Sequence, residues 1–451
     1  MSLIRYVVKS SARRLAWFDR RGGESIPKSV VTLRRGTSAL IAYSFSKASV
    51  LLAPLLLSRV LSLRNYGTVE YSLSVGQLAS VALALGTTSS IPYFLLHRDQ
   101  HFYRPVFSLH VIIVAVVCLA VAAGAFGAGN SLLSLASLIA GISVNQSVLS
   151  AKLRSADNPI GSSVAEGVLY TALLVFGALA YVNVVPPSIA GLIVMLGAYL
   201  VGALVLRIVA YPRGISRLRV LRIYRISMAY GIRAVPASLA NVGLVSAGRF
   251  LIGIVGTLEH VAMFSIVYRI CAPIVATHQF LSNLIFRRLY TASTASFQKY
   301  FTTLSALLML TGLALTFCGP ALSVELLGQK AKPISHRTDL FALMSLFMIM
   351  WSQLSLMELF MGRQNRLHRQ LFGFAVGGCI AAACVLVPRW RSSDQLDSVL
   401  LFQGLGVGAA VMWQFYQSGV ARPRWPVARA IVVAQMMVLS LLWLLTGILW
   451  R

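Results

Sequence analysis

The sequence predicts an all-α, polytopic membrane protein with 12 or 13 transmembrane helices. Hydrophobic residues make up 57% of the 451-residue chain, charged residues only 12%, and the mean hydropathy is +0.77. The apolar residues gather in runs of about 20, the length that an α-helix needs to cross a bilayer. Lys and Arg concentrate in alternate loops, as expected of a chain that crosses a membrane repeatedly.

Each apolar run is predicted to be a helix, because lipid offers no water to satisfy an open backbone. The runs cover residues 37–60, 70–92, 105–126, 132–150, 162–182, 187–207, 231–255, 261–286, 301–323, 339–361, 369–388, 397–417 and 428–450. Thirteen spans would place the C-terminus outside. Twelve spans, with the last segment lying flat or pairing differently, are the alternative.

The charge distribution predicts orientation and partners. The formal net charge is +28, and the cations are densest in residues 1–36 and in the predicted inner loops. We therefore expect a cytoplasmic N-terminus and attraction to anionic membrane lipids. The basic residues show no interleaved aromatic pattern, and no hydrophilic segment has room for a nucleic-acid module, so no nucleic-acid partner is predicted.

A short pattern suggests two related halves. Gly-Thr-x-Glu occurs at residues 67–70 and again at 256–259, each time as a predicted turn after an apolar segment with basic residues. Related halves that meet at the bilayer midplane are common in secondary transporters. We expect a basic tail at 1–36, a first half at 37–207, a basic linker at 208–230, a second half at 231–420 and an additional hydrophobic helix at 421–451.

Ionisable side chains inside spans are costly in lipid and are therefore candidates for function. Lys47, Arg249 and Arg269, in the first, seventh and eighth segments, are expected to face a water-filled cavity. Glu166 and Glu358, toward the inner ends of the fifth and tenth segments, are candidates for ion coupling or for ion pairs. The alternatives are a structural pair of Lys47 with Glu166 and snorkelling of Arg249 to the outer interface.

No enzyme motif is present. The chain contains no G-x-x-x-x-G-K-[ST] loop, no H-E-x-x-H and no G-x-S-x-G. Its five cysteines form no C-x-x-C pair and no Cys/His ligand set. The sequence therefore predicts a protein that is not an enzyme, with no catalytic residues, no cofactor and no metal site.

Two stretches resemble bacterial polysaccharide flippases. Residues 59–67, RVLSLRNYG, resemble the turn after the first span of these proteins, where an Arg-x-Leu-Gly-Pro pattern leads to a Tyr-Gly step. Residues 248–270, GRFLIGIVGTLEHVAMFSIVYRI, resemble the region that opens their second half. There an Asp-Arg pair is common and a Gly-x-aromatic-Ser step follows, matched by Phe264-Ser265.

The chain departs from this family pattern at several positions. Gly248 stands where Asp is common, so only Arg249 of the Asp-Arg pair is carried over. Ser62 and Leu63 replace the usual Gly-Pro. Ala262 stands where Gly is common, and the family pattern pairs it with Gly67. The family pattern thus pairs Gly67 with Ala262, whereas the Gly-Thr-x-Glu repeat pairs Gly67 with Gly256, so the resemblance does not support the repeat.

The resemblance implies a fold and a function. It covers about residues 37–420, and the family belongs to a superfamily that also contains multidrug and toxin exporters. It implies two six-helix bundles around a central cavity. It further implies a flippase that moves an undecaprenyl-diphosphate-linked oligosaccharide across the bacterial inner membrane by alternating access, for O-antigen or exopolysaccharide synthesis, with a polysaccharide polymerase complex as partner. Lys47, Arg249 and Arg269 would then bind the diphosphate.

Two other functions stay open. One is a drug or cation exporter of the same superfamily. The absence of Asp and Glu from the first and seventh segments argues against it, because a cationic drug favours an acidic cavity. The other is a non-transporting membrane scaffold of a polysaccharide assembly complex, with the basic tail and linker as docking surfaces.

Overall fold

The computed structural model is almost entirely α-helical, as the sequence predicts. It describes residues 44, 46, 48–92, 94, 104–156, 158–211, 217–284, 293–363, 369–386, 395–419 and 426–449, and within these ranges it contains no β-strand. The predicted tail at 1–36 and Lys47 lie outside the described residues.

Helices coincide with all thirteen predicted segments. The first half contains α1 (Ala48–Val60), α2 (Leu63–Leu83), α3 (Thr87–Pro92), α4 (Arg104–Gly127), α5 (Ser131–Ser155), α6 (Pro159–Tyr181) and α7 (Ile189–Val209). The second half follows a connecting helix α8 (Arg217–Gly231) and a 3-10 turn (Ile232–Ala234). It contains α9 (Val235–Val255), α10 (Leu258–Cys271), α11 (Pro273–Leu284), α12 (Thr294–Leu327), α13 (Thr338–Arg363), α14 (Gln370–Leu386), α15 (Gln395–Gly419) and α16 (Pro426–Leu449).

Length and composition make the chain a multi-pass membrane protein. Eight of the described helices are long and apolar enough to cross a bilayer, and the bent pair α10 and α11 is a ninth candidate. The apolar parts of α1, α14 and α16 are shorter. Helix α2 has 21 residues but a lower hydropathy, because it buries Glu70, Ser72 and Ser74 against protein. The choice between 12 and 13 spans stays a prediction.

The predicted span at 70–92 is wrong in its bounds. Ser62 accepts a hydrogen bond from the Asn65 N–H and caps α2, which therefore begins at Leu63. Residues 67–70 lie inside this helix and do not form the predicted turn. The helix ends before Leu85 and Gly86, which both have positive φ, and a Cβ on Gly86 would lie 2.0 Å from the Gly231 carbonyl oxygen.

In the second Gly-Thr-x-Glu, Gly256 and Thr257 form the break between α9 and α10, and Leu258 and Glu259 already belong to α10. Thr257 caps α10 by accepting a hydrogen bond from the His260 N–H, and the His260 ring bonds back to the Thr257 N–H. The two copies therefore differ in structure. Counted from the caps Ser62 and Thr257, Gly67 and Ala262 both stand five residues into their helices, which is the pairing implied by the flippase resemblance.

Helices α10 and α11 meet at a bend of 47°. Pro273 has no N–H to donate to the Arg269 carbonyl, so the helical ladder stops there. The Ala272 N–H bonds to that carbonyl instead, at 3.3 Å. The bend thus has a specific cause in the sequence.

The helices differ strongly in how much protein surrounds them. In α13, 89% of the membrane-length part is buried, and in α5 and α15 67% is buried. For α7 and α12 the value is only 22%. Helix α5 therefore lies at the centre of the first half and α13 at the centre of the second, while α7 and α12 are peripheral.

The predicted linker contains a helix that packs on the first half. Helix α8 contacts α3 and α4. Ser90 donates a hydrogen bond to the Ser227 carbonyl at 3.2 Å, and the His110 ring bonds to the Tyr224 hydroxyl at 2.9 Å. The exact division of the chain into domains stays a prediction.

Candidate functional site

The two halves meet along one face of α2, which packs against α9 and α10. Gly67 makes this approach possible, because a Cβ at that position would lie 1.8 Å from the Leu258 carbonyl oxygen. Tyr66, Glu70, Ser74 and Gln77 follow at spacings of four, four and three residues, so they lie on one side of α2. A polar stripe therefore runs along the contact between the halves.

A buried ion-pair cluster, formed by Glu70, Arg249 and Arg269, lies in this contact. Arg269 Nη2 is 3.3 Å from both carboxylate oxygens of Glu70, and Arg249 Nε is 3.5 Å from Oε2. Glu70 is fully buried, and only 5% of Arg249 and 4% of Arg269 is exposed. Glu70 comes from the first half and both arginines from the second, so the cluster ties the halves together.

Hydroxyl groups complete the ion-pair cluster. The Tyr66 hydroxyl donates to Glu70 Oε1 at 3.0 Å. Arg249 donates to Ser265 at 3.1 Å through Nε and to Ser74 at 3.5 Å through Nη1. None of the described residues accepts a hydrogen bond from Nη2 of Arg249. The Glu70 carboxylate is thus paired with two guanidinium groups, and Nη2 of Arg249 remains a donor without an acceptor among the described residues.

Tyrosine rings enclose the two guanidinium groups. The Arg249 Cζ lies 4.1 Å from the centroid of the Tyr268 ring. The Arg269 Cζ lies 5.5 Å from the rings of both Tyr170 and Tyr268. A cation over an aromatic face is stabilised, more so when it is desolvated. The rings therefore help to compensate for the removal of these charges from water.

The two halves contribute equivalent positions to the cluster. Glu70 and Ser265 both stand eight residues after a helix cap, Ser62 in one case and Thr257 in the other. Both side chains contact Arg249. Helices α2 and α10 thus both contact the Arg249 guanidinium group, each through the eighth residue after its N-cap.

A lysine makes a second contact between the halves, at the end of the helices predicted to face outside. Lys330 donates to the carbonyls of Ser58, Arg59 and Leu61, at 3.1, 2.8 and 2.7 Å. These carbonyls end α1, where a helix has unpaired acceptors and partial negative charge. Burial lowers the pKa of the Lys330 ammonium. The lysine therefore caps a helix of the other half.

A polar cavity of about 580 Å³ lies beside the cluster. It reaches from the middle of the helices toward the end predicted to face inside. Four helices of the first half line it, and Val242 of α9 is the one described lining residue from the second half, so the cavity lies in the first half and borders the second. Its lining consists of Gln77, Ser80, Val81, Thr88, Ser143, Gln146, Ser147, Ser150, Ala151, Ser155, Glu166, Leu169, Tyr170 and Val242.

The predicted site residues fall into different places. Arg249 and Arg269 come together in the ion-pair cluster and do not line this cavity. Glu166 does line it, and accepts a hydrogen bond from Ser150 at 2.8 Å. Glu358 lies elsewhere and accepts from Asn241 at 3.1 Å, which joins α13 to α9. The roles predicted for these residues, and for Lys47, stay predictions.

Glu70 is not among the predicted site residues, because the Gly-Thr-x-Glu pattern predicts a turn at this position. The signal that could have found it is the helical spacing of Tyr66, Glu70, Ser74 and Gln77 directly after Ser62, a residue that commonly caps helices. Gly248 is also explained by the fold. A Cβ there would lie 2.2 Å from Gln403 Oε1 and 2.5 Å from Phe264 Cζ, so any larger residue, including the aspartate common in flippases, would require both side chains to move.

Metal binding finds no support in the described ranges, which contain no group of three or more His, Cys, Asp and Glu side chains able to hold an ion.

Two solved structures share the fold over almost their whole length. An inward-facing multidrug resistance MATE family transporter of the MOP superfamily matches with a TM-score of 0.57 and 14% identity, over 88% of this chain and 98% of that one. A MATE transporter in complex with MaL6 matches with a TM-score of 0.51 and 14% identity, over 88% and 95%. No protein-family model and no curated protein matches the sequence. The chain therefore has the fold of the MATE transporters of the MOP superfamily.

Proposed function

We propose that this chain is a transporter of the MOP superfamily that carries an amphipathic substrate between its two halves by alternating access. The observation that carries the proposal is the cavity of the first half, which is lined mainly by residues with polar side chains and borders α9 of the second half. Beside it, the ion-pair cluster joins α2 to α9 and α10. In a rocking mechanism, opening of the contact between the halves would expose such a cavity to the two sides of the membrane in turn.

The cavity lining supports a polyhydroxylated substrate. Ten of its fourteen lining residues have a hydroxyl, amide or carboxylate side chain, and Tyr170 is its single aromatic residue among those described. Pockets for drug-like ligands are instead mostly apolar and aromatic. Together with the two sequence stretches that resemble polysaccharide flippases, this lining supports a lipid-linked oligosaccharide, whose sugar hydroxyls would bind in the cavity while the prenyl chain stays in lipid.

The diphosphate of such a substrate still needs positive partners. Arg249 and Arg269 would become available only if their contacts with Glu70 opened. Lys47 is the remaining predicted phosphate ligand. We therefore propose that the arginines bind phosphate in a state in which the halves have separated.

A drug or cation exporter is the second candidate. The fold comparisons favour it, because the neighbour with the TM-score of 0.57 is a multidrug resistance transporter. Glu166 supports it as well, since a carboxylate in the cavity lining can act as counter-charge to an organic cation. The polar lining favours the oligosaccharide.

Reconstitution with two substrates distinguishes the candidates. The full-length chain in proteoliposomes is given a fluorescent undecaprenyl-diphosphate-linked oligosaccharide or tetraphenylphosphonium, and movement of each is recorded. We expect transport of the oligosaccharide. Glu166→Gln should preserve it, because the amide still forms hydrogen bonds, whereas transport of an organic cation should fall about tenfold or more with the loss of charge.

Glu259→Gln is the matched control, because Glu259 is exposed at the start of α10. Transport of tetraphenylphosphonium alone, sensitive to Glu166→Gln and not to Glu259→Gln, would overturn the oligosaccharide proposal in favour of the exporter. Transport of neither substrate would contradict both.

A further inference from the structure

Tyr170 belongs to both the cavity and the contact between the halves. Its side chain lines the cavity from α6, and its hydroxyl accepts a hydrogen bond from Gln77 Nε2 at 3.0 Å. Its ring lies 5.5 Å from the guanidinium carbon of Arg269. Tyr170 is alone among the described lining residues in placing a ring over an arginine of the ion-pair cluster.

Arg269 is held from both halves. Tyr268, its neighbour in α10, also places a ring 5.5 Å from the guanidinium carbon. Tyr170 does the same from the first half, which also supplies Glu70. The guanidinium thus has a carboxylate and one ring from the first half and one ring from its own helix. Moving the Tyr170 ring would remove one of the two contacts by which the first half fixes Arg269.

We propose that Tyr170 is a positioning residue that couples the contents of the cavity to the closure between the halves. The proposal rests on the proposed function, since it assumes a substrate in the cavity. A substrate that bonds to the Tyr170 hydroxyl competes with Gln77 and shifts the ring. The contact of the ring with Arg269 weakens, and with it the ion pair of Arg269 with Glu70. A substrate bound in the cavity thereby weakens the ion pair of Arg269 with Glu70, which holds the two halves together on the side away from the cavity.

The test measures the distance between the halves in the full-length protein. Spin labels are placed at Ala128→Cys, in the exposed loop after α4, and at Lys332→Cys, in the exposed segment before α13. The five native cysteines are replaced, the protein is placed in lipid nanodiscs, and pulsed electron resonance gives the distance distribution. Tyr170→Leu removes the ring, and Tyr170→Phe keeps the ring but removes the hydroxyl.

Tyr181→Leu is the matched control. Tyr181 lies on the same helix and is also paired with an arginine, Arg59, at 5.5 Å, but it is exposed and does not line the cavity. Without substrate, Tyr170→Leu should lower the ratio of closed to open states about three- to thirtyfold, the effect of a desolvated cation–π contact. Tyr181→Leu should match the parent protein. Tyr170→Phe keeps the ring but loses the bond to Gln77, so its ratio should lie between those of the parent and Tyr170→Leu.

Substrate gives the second comparison. Saturating undecaprenyl-diphosphate-linked oligosaccharide, or tetraphenylphosphonium, should shift the parent protein toward the open state. Tyr170→Leu should bind the same compound without a further shift. A Tyr170→Leu protein that is as closed as the parent without substrate, and that opens with substrate as the parent does, would overturn the proposal.

Failure of the proposed function has a different signature. In that case the parent protein binds neither compound and its distances do not respond. The comparison without substrate still decides whether Tyr170 holds Arg269 in place: an unchanged distribution in Tyr170→Leu would overturn that role as well.

Discussion

Replacement of Glu70 by glutamine removes the one carboxylate of the ion-pair cluster. The amide occupies nearly the same volume, so packing changes little. Arg249 and Arg269 are left as two buried positive charges without a counter-charge in the cluster. Removing one partner of a buried ion pair costs about 3–5 kcal/mol, because the remaining charge has already lost its water.

The distances support that magnitude. Each guanidinium lies 3.3–3.5 Å from a carboxylate oxygen, where unit charges attract by about 5 kcal/mol at an effective dielectric constant of about 20. The unfolding entropy is about 2.1 cal/mol/K per residue, which for 451 residues gives about 0.95 kcal/mol/K. A loss of about 3–5 kcal/mol then lowers the melting temperature by about 3–5 °C.

Thermal unfolding of the purified protein in detergent measures this effect. Glu259→Gln, at an exposed glutamate of α10, is the control and should not change the melting temperature. The double variant Glu70→Gln/Arg269→Gln should melt above Glu70→Gln, because it removes one of the two uncompensated charges. Two results would refute the explanation by uncompensated charge: a melting temperature of Glu70→Gln equal to that of the control, or a melting temperature of the double variant below that of Glu70→Gln.

Two further predictions follow from the contact between the halves. Gly67→Ala should destabilise the protein by about 1–3 kcal/mol or more, because its Cβ would lie 1.8 Å from the Leu258 carbonyl oxygen. Gly197→Ala is the control: its Cβ would have open space around it, so the same unfolding measurement should show no such loss. Lys330→Met should raise the rate at which a maleimide reacts with Ser58→Cys, because three hydrogen bonds to the end of α1 are lost. Lys332→Met should leave that rate unchanged, and equal rates in both variants would contradict the capping role of Lys330.

Much of the fold could be predicted because membrane spans carry a strong signal. Thirteen apolar segments predict helices, and helices coincide with all of them. The signal fails at α2, where Glu70 and the serines lower the hydropathy although the helix is buried. A hydropathy pattern distinguishes apolar from polar residues but not lipid from a neighbouring helix, so the start of α2 and its break at Gly86 were missed.

The candidate site could be predicted only in part. Charged residues inside apolar segments single out Arg249 and Arg269, and the structure brings both into the ion-pair cluster, while their predicted binding role stays a prediction. Their partner could not be found from the sequence, because Glu70 lies 179 and 199 residues away along the chain and meets them only through packing of the halves. The cavity is likewise built from four helices and one residue of a fifth, none of which has a sequence motif.

The bend at Pro273 separates α11 from α10, so that α11 can rotate as a short rigid helix about this point. Its 12 residues extend about 18 Å at 1.5 Å per residue, so a rotation of about 10° at the bend moves the far end by about 3 Å. Arg269 lies in α10, on the other side of the bend, four residues before the proline. A rotation of α11 about the bend therefore need not turn α10, the helix that carries Arg269.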